Sequence, residues 1–507
     1  MQHVTRHLLV IAGCWLMIVS AAPMHAAPLE TDPPQPPPLR REFRGAWVAT
    51  VANIDWPSKP GLTVARQQSE LLALLDHVVR LNMNAIVLQV RPNCDAVYAS
   101  ALEPWSAWLT GRQGQPPEPR WDPLEFAVVE AHRRGLELHA WVNPYRAGRT
   151  VDHDTYAENH ISRTHPELVR TYGKSLWLDP GEPAVLEHVV RIVRDVVARY
   201  DIDGVHMDDY FYPYRELDAA GRPIEFPDEA TWQAYRRSGG TLARDDWRRD
   251  NVNRLVKRLR AEVQDEKSWV KVGISPFGIW RPGHPEGVVG LDAYDTLYAD
   301  ARLWLNEGWI DYLAPQLYWP REPAAQSFTA LLDWWTGENT RGRHLWPGIN
   351  TRRSAQWGPG ELSEQIRLTR RIPTSCGAIH WNIGALAHNT GGVADALGRG
   401  VYAEPVVMPA SPWLDDTPPG RPLVRAAWDE AGACVVHWEA GDPTESTRWV
   451  VQSRRQAAWT CRVFPAGTTS WRPPADSLPD TVAVYALDCA ANLGEPALLS
   501  LPRPMGR

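Results

Sequence analysis

Cysteine is scarce in this chain of 507 residues, six in all, and no two stand at the spacing of a zinc site. Phenylalanine is scarce as well, 7 residues against 26 tryptophans, so aromatic surface here is mostly indole. Neither charge sign is in large excess: 53 Lys and Arg against 60 Asp and Glu leave a formal −7. That balance offers nothing to nucleic acid or an anionic membrane. After the first twenty residues no apolar run is long enough to cross a bilayer. The first strand candidate is followed by no Gly-rich phosphate loop and carries no His-x-His pair. A nucleotide-binding open sheet and a His-clustered metal hydrolase are therefore not expected, and neither metal nor cofactor is assigned. Asp152-His-Asp154 could take a cation but reads as solvated loop.

What is present begins with a leader. His3, Arg6 and His7 precede the apolar run Leu8 to Ser20, and small residues follow to Ala27, so residues 1–27 read as a secretory signal peptide. The expected location is the periplasm. Ile11-Ala-Gly-Cys14 has the form of a lipobox, and an outer-membrane lipoprotein anchored at Cys14 is the alternative, although the apolar run continues through Ile18. Export permits disulfides, and with Cys434, Cys461 and Cys489 crowded near the C-terminus one bridge could form there, the odd count of five after processing leaving its pairing open.

Residues 28–42 form a Pro-rich spacer. Across 43–402 strands and helices alternate. Strands are expected at Phe43–Val51, Asn84–Arg91, Leu136–Asn143, Ile202–Asp208, Val270–Phe277, Ile310–Tyr318, His344–Asn350 and Gly377–Ile383. Helices follow each, beginning with Ala65–Leu81, Pro123–Arg134, Pro183–Tyr200 and Asp246–Glu266. Eight strand–helix pairs make an α/β protein of the (β/α)8 TIM-barrel class. The long segments 93–120, 144–182, 210–244 and 278–296 all follow a strand, which places them on the C-terminal face where sites of this fold lie. Pro-rich 403–423 reads as a linker. Residues 424–502 change to short alternating strands, a small all-β sandwich. Val482-Ala-Val-Tyr-Ala-Leu-Asp-Cys-Ala-Ala-Asn-Leu-Gly494 resembles a fibronectin type III F strand and its turn.

The stretch Asp203-Gly-Val-His-Met-Asp-Asp-Tyr-Phe-Tyr-Pro213 carries the chemistry. By strand parity His206 and Asp208 face the barrel axis. A carboxylate there is costly to bury without a use. Glycoside hydrolysis needs two carboxyl groups, and Asp208 with Asp209 is the candidate catalytic pair. Asp209 has opposite parity unless the strand has already turned, and Asp55, Asp95, Asp300 and Glu322 stand as alternative partners. The other strand ends supply a polar, aromatic lining suited to a neutral polyhydroxylated ligand. Candidate substrate-binding residues are Arg91, His139, Trp141, Asn143, Tyr145, Arg146, His206, Tyr210, Gln316, Tyr318, Trp319 and Asn382. Singly, each buried histidine would read as satisfied core.

Nine ordered blocks resemble the glycosyl-hydrolase-like 10 family. They include Arg44-Gly-Ala-Trp47, Asn53-Ile-Asp-Trp-Pro-Ser58, Gln89-Val-Arg-Pro92, His139-Ala-Trp-Val-Asn-Pro-Tyr-Arg146, Asp311-Tyr-Leu-Ala-Pro-Gln-Leu-Tyr-Trp319 and the Asp203–Pro213 stretch. The resemblance implies a barrel distantly similar to the α-amylase group. One envelope member is a divisome-associated glycosidase that cuts peptidoglycan strands stripped of stem peptides. It therefore implies cleavage between N-acetylmuramic acid and N-acetylglucosamine in such denuded strands, with Asp208 and Asp209 at the centre. Asp203 to Asp208 is also similar to the fourth-strand signature of chitinase-type barrels, but Tyr210 occupies the place of their catalytic Glu. Two other readings stay open: a glycan-binding barrel with weak or lost catalysis, and a hydrolase of another envelope or scavenged polysaccharide. The expected partner is a glycan, with divisome or envelope proteins meeting the C-terminal sandwich; a monomer is expected.

Overall fold

In the computed structural model the described residues are 34–501, apart from 323, 373, 375, 431–432 and 442–447. The expected signal peptide and Cys14 lie outside them. Eight parallel strands follow: β1 (Phe43–Val48), β2 (Ala85–Arg91), β3 (Glu137–Val142), β4 (Gly204–Met207), β5 (Lys271–Ile274), β6 (Tyr312–Leu313), β7 (His344–Leu345 with Gly348–Asn350) and β8 (Gly377–Trp381). The first five are buried at every position, as strands covered on both faces must be. The principal helices after them are α1 (Val64–Arg80), α2 (Pro123–His132), α3 (Pro183–Arg199), α4 (Arg244–Glu266), α5 (Ala301–Glu307), α6 (Phe328–Glu338), α7 (Pro359–Thr369) and α8 (Val393–Arg399). Local chemistry starts them. Thr63 caps α1 on Arg66 N, Asp122 caps α2 on Leu124 N and Glu125 N, and Pro opens α2, α3 and α7.

Two prolines shape the closure. Pro315 cuts β6 to two residues, and Gln316 rejoins the ladder only through single bridges to Phe277 and Gly348. Pro347 divides β7, whose lower half pairs with β6 and upper half with β8. Because one segment bonds both neighbours, the sheet closes on itself as an eight-stranded barrel. The long segments after the strands hold structure that periodicity did not show. A three-stranded antiparallel sheet (Arg146–Gly148, Ser175–Leu178, Val169–Tyr172) lies after β3, and a helix at Glu229–Arg237 lies after β4.

Two antiparallel sheets complete the chain. One is built from β9 (Leu423–Trp428), β10 (Cys434–Glu439) and β13 (Ser470–Trp471). The other runs in the order β12 (Ala458–Pro465), β11 (Arg448–Arg455), β14 (Thr481–Leu487), β15 (Ala497–Ser500). Side chains of β11 and β14 alternate between two cores. Trp449, Val451, Val482, Val484 and Ala486 pack with Val436 and Trp438 between the sheets. Val450, Ala483, Tyr485 and Leu487 instead join Phe43, Ala85, Val87, Tyr312 and Trp346 of the barrel. The β-sheet unit thus covers the N-terminal end of the barrel. Such a disulfide is absent among the described residues: Cys434, Cys461 and Cys489 are free. Cys434 points between the sheets and Cys461 toward the barrel, so their thiols lie on opposite faces.

Charge accompanies the apolar contact. Glu137 opens β3, Lys271 opens β5 and Arg448 opens β11; the ammonium and the guanidinium lie 3.2 and 3.0 Å from the Glu137 carboxylate. Burial alone would raise this carboxyl, but Lys271 and Arg448 hold it well below the usual range. The fully buried Asp311 ties three elements, accepting from Val272 N (2.8 Å), Arg260 of α4 (2.9 Å) and Trp413 Nε1 (3.0 Å). Replacing Asp311 by Ala leaves these donors unpaired and is expected to cost about 3 kcal/mol. A lower urea midpoint at unchanged slope would show it.

Candidate active site

β4 ends at Met207, and the chain turns at once. Tyr210 N donates to Asp208 Oδ1 at 3.3 Å, and Phe211 N to Asp209 O at 3.0 Å. Strand alternation therefore lapses after Met207, and both carboxylates enter one cleft of about 260 Å3. Trp47, Trp141, Tyr210, Tyr214, Tyr318 and Trp381 supply its rings, and Gln89, Arg146, Ser275 and Gln316 its polar groups.

A line of amides sets the position of Asp208. Gln89 Oε1 accepts from Thr50 N (3.0 Å) and Val51 N (2.9 Å), and its Nε2 donates to Asn143 Oδ1 at 2.6 Å. Asn143 Nδ2 then donates to Asp208 Oδ2. Asp209 Oδ2 accepts from the Tyr214 hydroxyl, and Gln316 also bonds the carboxylate. Burial first, and the adjacent Asp209 charge second, push Asp208 up to about 7. Burial likewise raises Asp209 against the pull of Tyr214 and Gln316. Raised in this way, the Asp208 carboxyl keeps a protonated fraction near neutral pH, as a general acid requires.

The structure brings together Asp208, Asp209, Trp141, Arg146, Tyr210, Gln316 and Tyr318 around the cleft, with Asn143 holding Asp208 from behind. Arg146 stacks on Tyr210, its guanidinium carbon 4.7 Å from the ring centre, and donates Nε to Pro92 O at 3.2 Å. Other expected residues lie elsewhere. Arg91 is fully buried, paired with Glu103 at 2.6 Å, and donates to Asn143 O, so it braces the amide line. Tyr145 is buried behind the cleft; Trp319 meets Phe277 edge-on with centroids 5.7 Å apart. Asn382 caps a short helix on Ala385 N, and His139 and His206 fill the barrel axis beneath the cleft. Among the alternative acids, Asp55 sits at the rim, held by Ala49 N and Gly384 N and raised by burial to about 6. Asp95 is buried under Gln113, Asp300 caps α5, and Glu322 is exposed.

Six lining residues escaped the sequence reading of the site: Trp47, Val51, Ile54, Tyr214, Ser275 and Trp381. Trp47 stood inside a quoted block, and Tyr214 follows directly on Pro213, so adjacency to a motif was the available signal. Ser275 stands just past the fifth strand in another of the nine blocks, and Trp381 directly precedes Asn382, so the same signal was there for both.

A closed (β/α)8 barrel whose aromatic mouth holds two buried carboxyl groups has the construction of a glycoside hydrolase. Residues 42–356 match the family described as Glycosyl hydrolase-like 10. The chain is 44% identical over 408 residues to glycosyl hydrolase YngK of Bacillus subtilis (strain 168), spanning 77% of this chain and 78% of that one. It is 36% identical over 371 residues to glycosyl hydrolase DigH of Escherichia coli (strain K12), spanning 66% and 82%. The glycoside hydrolase domain of PgaB (BpsB) from Bordetella bronchiseptica superposes with a TM-score of 0.46 at 14% identity, covering 71% of this chain and 98% of that one. The chain belongs to the glycosyl hydrolase-like 10 family and is a glycoside hydrolase.

The raised Asp208 carboxyl has a stability consequence with a definite sign. Its folded pKa lies above the unfolded value near 3.8, so an ionisation cost appears as pH rises from 3.8 and is complete above about 7. Asp208→Asn is expected to unfold at higher temperature than wild type at pH 8, with a smaller difference at pH 5. Calorimetry at the two pH values checks this.

Proposed function

We propose that this glycosidase cleaves peptidoglycan glycan strands, peptide-free ones in particular, with Asp208 and Asp209 as the reacting carboxyl groups. The observation that carries the reading is the pair itself: two adjacent buried carboxyls, raised in pKa, in a cleft rich in aromatic faces. The protonated member donates to the leaving glycosidic oxygen while the ionised member stabilises positive charge at the anomeric carbon. Trp47, Trp141 and Trp381 offer faces for pyranose rings, and the Gln316 amide and Tyr hydroxyls suit hydroxyl and acetamido groups. Arg146 is the cation among the cleft-lining residues. A strand stripped of its peptides exposes the lactyl carboxylate of muramic acid, which a guanidinium can hold; an intact strand carries an amide there. Family resemblance supports the same substrate. Export to the periplasm, and contact with envelope or divisome proteins, belong to this proposal.

The test compares purified wild type with Asp208→Asn on intact sacculi and on sacculi stripped by an amidase, with released fragments identified by mass. Fragments are expected from stripped material with wild type only, and turnover by the variant should fall at least ~1,000-fold. Fragments from neither material would sink the substrate assignment.

The pH profile follows from the raised Asp208 carboxyl. Activity should decline as pH rises through about 7, where Asp208 loses its proton. Removing the neighbouring charge lowers that value, so the residual activity of Asp209→Asn should lose its alkaline limb at lower pH. An unmoved limb would contradict this assignment.

A further inference from the structure

Beneath the cleft the barrel axis holds a single hydrogen-bonded file, and one indole fixes its direction. Trp47 Nε1–H donates to His206 Nε2 at 3.1 Å. An indole nitrogen can only donate, so Nε2 must present its lone pair. His206 is fully buried, and that burial keeps the imidazole neutral. Its proton therefore sits on Nδ1, which donates to the Tyr312 hydroxyl at 3.0 Å. That hydroxyl turns its own proton to His139 Nδ1 at 2.8 Å, leaving His139 Nε2–H to donate to Glu137 Oε2 at 3.1 Å. In this arrangement each donor of the file meets one acceptor, from the indole down to the carboxylate.

The file is built into the backbone. A Cβ at Gly273 of β5 would lie 1.9 Å from the Tyr312 ring, and one at Gly204 of β4 would lie 2.6 Å from His139 Nδ1. Glycine at both positions gives these rings their space. The upper end meets the cleft, where Ser275 Oγ also reaches His206 Nε2 at 2.9 Å and Ser275 O accepts from Gln316, the amide that bonds Asp209. The lower end is Glu137, held by Lys271 and by Arg448 of the C-terminal sheet.

We propose that Tyr312, His139 and Glu137 are positioning residues of this glycosidase, setting the His206 tautomer that aims Trp47 and Ser275 at the cleft floor. Arg448 draws the C-terminal sheet into the same role. With the other tautomer, His206 would oppose its own N–H to the Trp47 indole N–H, and the ring would lose its acceptor. The sheet unit is then part of the working barrel rather than a detachable glycan-binding module. This inference rests on the glycosidase assignment and not on the peptidoglycan substrate.

The test uses the full chain with 15N-labelled histidine and tryptophan. In wild type, His206 should give the nitrogen signals of a neutral Nδ1–H imidazole, and Trp47, assigned by loss of its signal in Trp47→Phe, a hydrogen-bonded indole N–H. Tyr312→Phe keeps the ring but removes the hydroxyl. It should shift the Trp47 signal, switch His206 to Nε2–H and lower kcat/KM about tenfold or more on a cleaved glycan. Arg448→Gln should move the same Trp47 signal in the same direction. An Nε2–H His206 in wild type, which needs no variant to detect, overturns the proposal. So does an unmoved Trp47 signal in folded Tyr312→Phe, while an unmoved signal in folded Arg448→Gln removes the C-terminal sheet from it.

Discussion

Two carboxyl groups side by side in a low-dielectric cleft are unstable unless their surroundings are fixed in advance. Much of the barrel mouth is arranged to that end. Asp208 takes its donor from Asn143, which is positioned by Gln89, which is in turn held by the backbone after β1. Arg91 and Glu103 brace the same line from outside. Asp209 depends on Tyr214 and Gln316, and Gln316 lies just past Pro315, where the β6 ladder breaks. The irregular ladder and the site are thus one feature: an unbroken β6 would continue in register past the position where the amide must turn toward the carboxylate.

Much of this was legible in the sequence. Periodicity gave eight strand–helix pairs, and the position of the long segments gave the functional end. The Asp-Asp pair was found because carboxylates at the end of an otherwise apolar strand need a reason to be there. Parity alone left Asp209 doubtful, since alternation holds only while the chain stays extended, and it stops at Met207. Parity also placed His139 and His206 correctly on the axis but could not give their depth. They lie below the cleft because the rings above them, Trp47 and Trp141, already occupy its floor. Ser275 and Trp381 stood beside motif residues but were passed over, because only the closed barrel turns both toward the cleft.

The C-terminal strands show a different limit. Thr481 to Leu487 is buried at every position, where a sandwich strand with one wet face would alternate. Apolar residues at successive positions in Val482-Ala-Val-Tyr-Ala-Leu487 therefore marked a sheet with two covered faces, which is what the two cores built on β11 and β14 require. Such a signal says that a second surface exists without saying which. Here it is the barrel base, and the pairing of Arg448 with Glu137 adds charge to the apolar contact.

Sequence distance gives that interface a kinetic meaning. Arg41 bonds Ala491 O across 450 residues, Gln452 reaches Pro37 O across 415, and Arg448 reaches Glu137 across 311. A chain synthesised from its N-terminus can form the eight strands before their base is covered. Until β11 and β14 emerge, Glu137 and Lys271 face each other without their third partner, and Phe43 and Trp346 lack part of their cover. Contacts of such high order form late. Completion of the barrel base thus waits for β11 and β14, and a chain cut short before β14 would leave an apolar surface open to association.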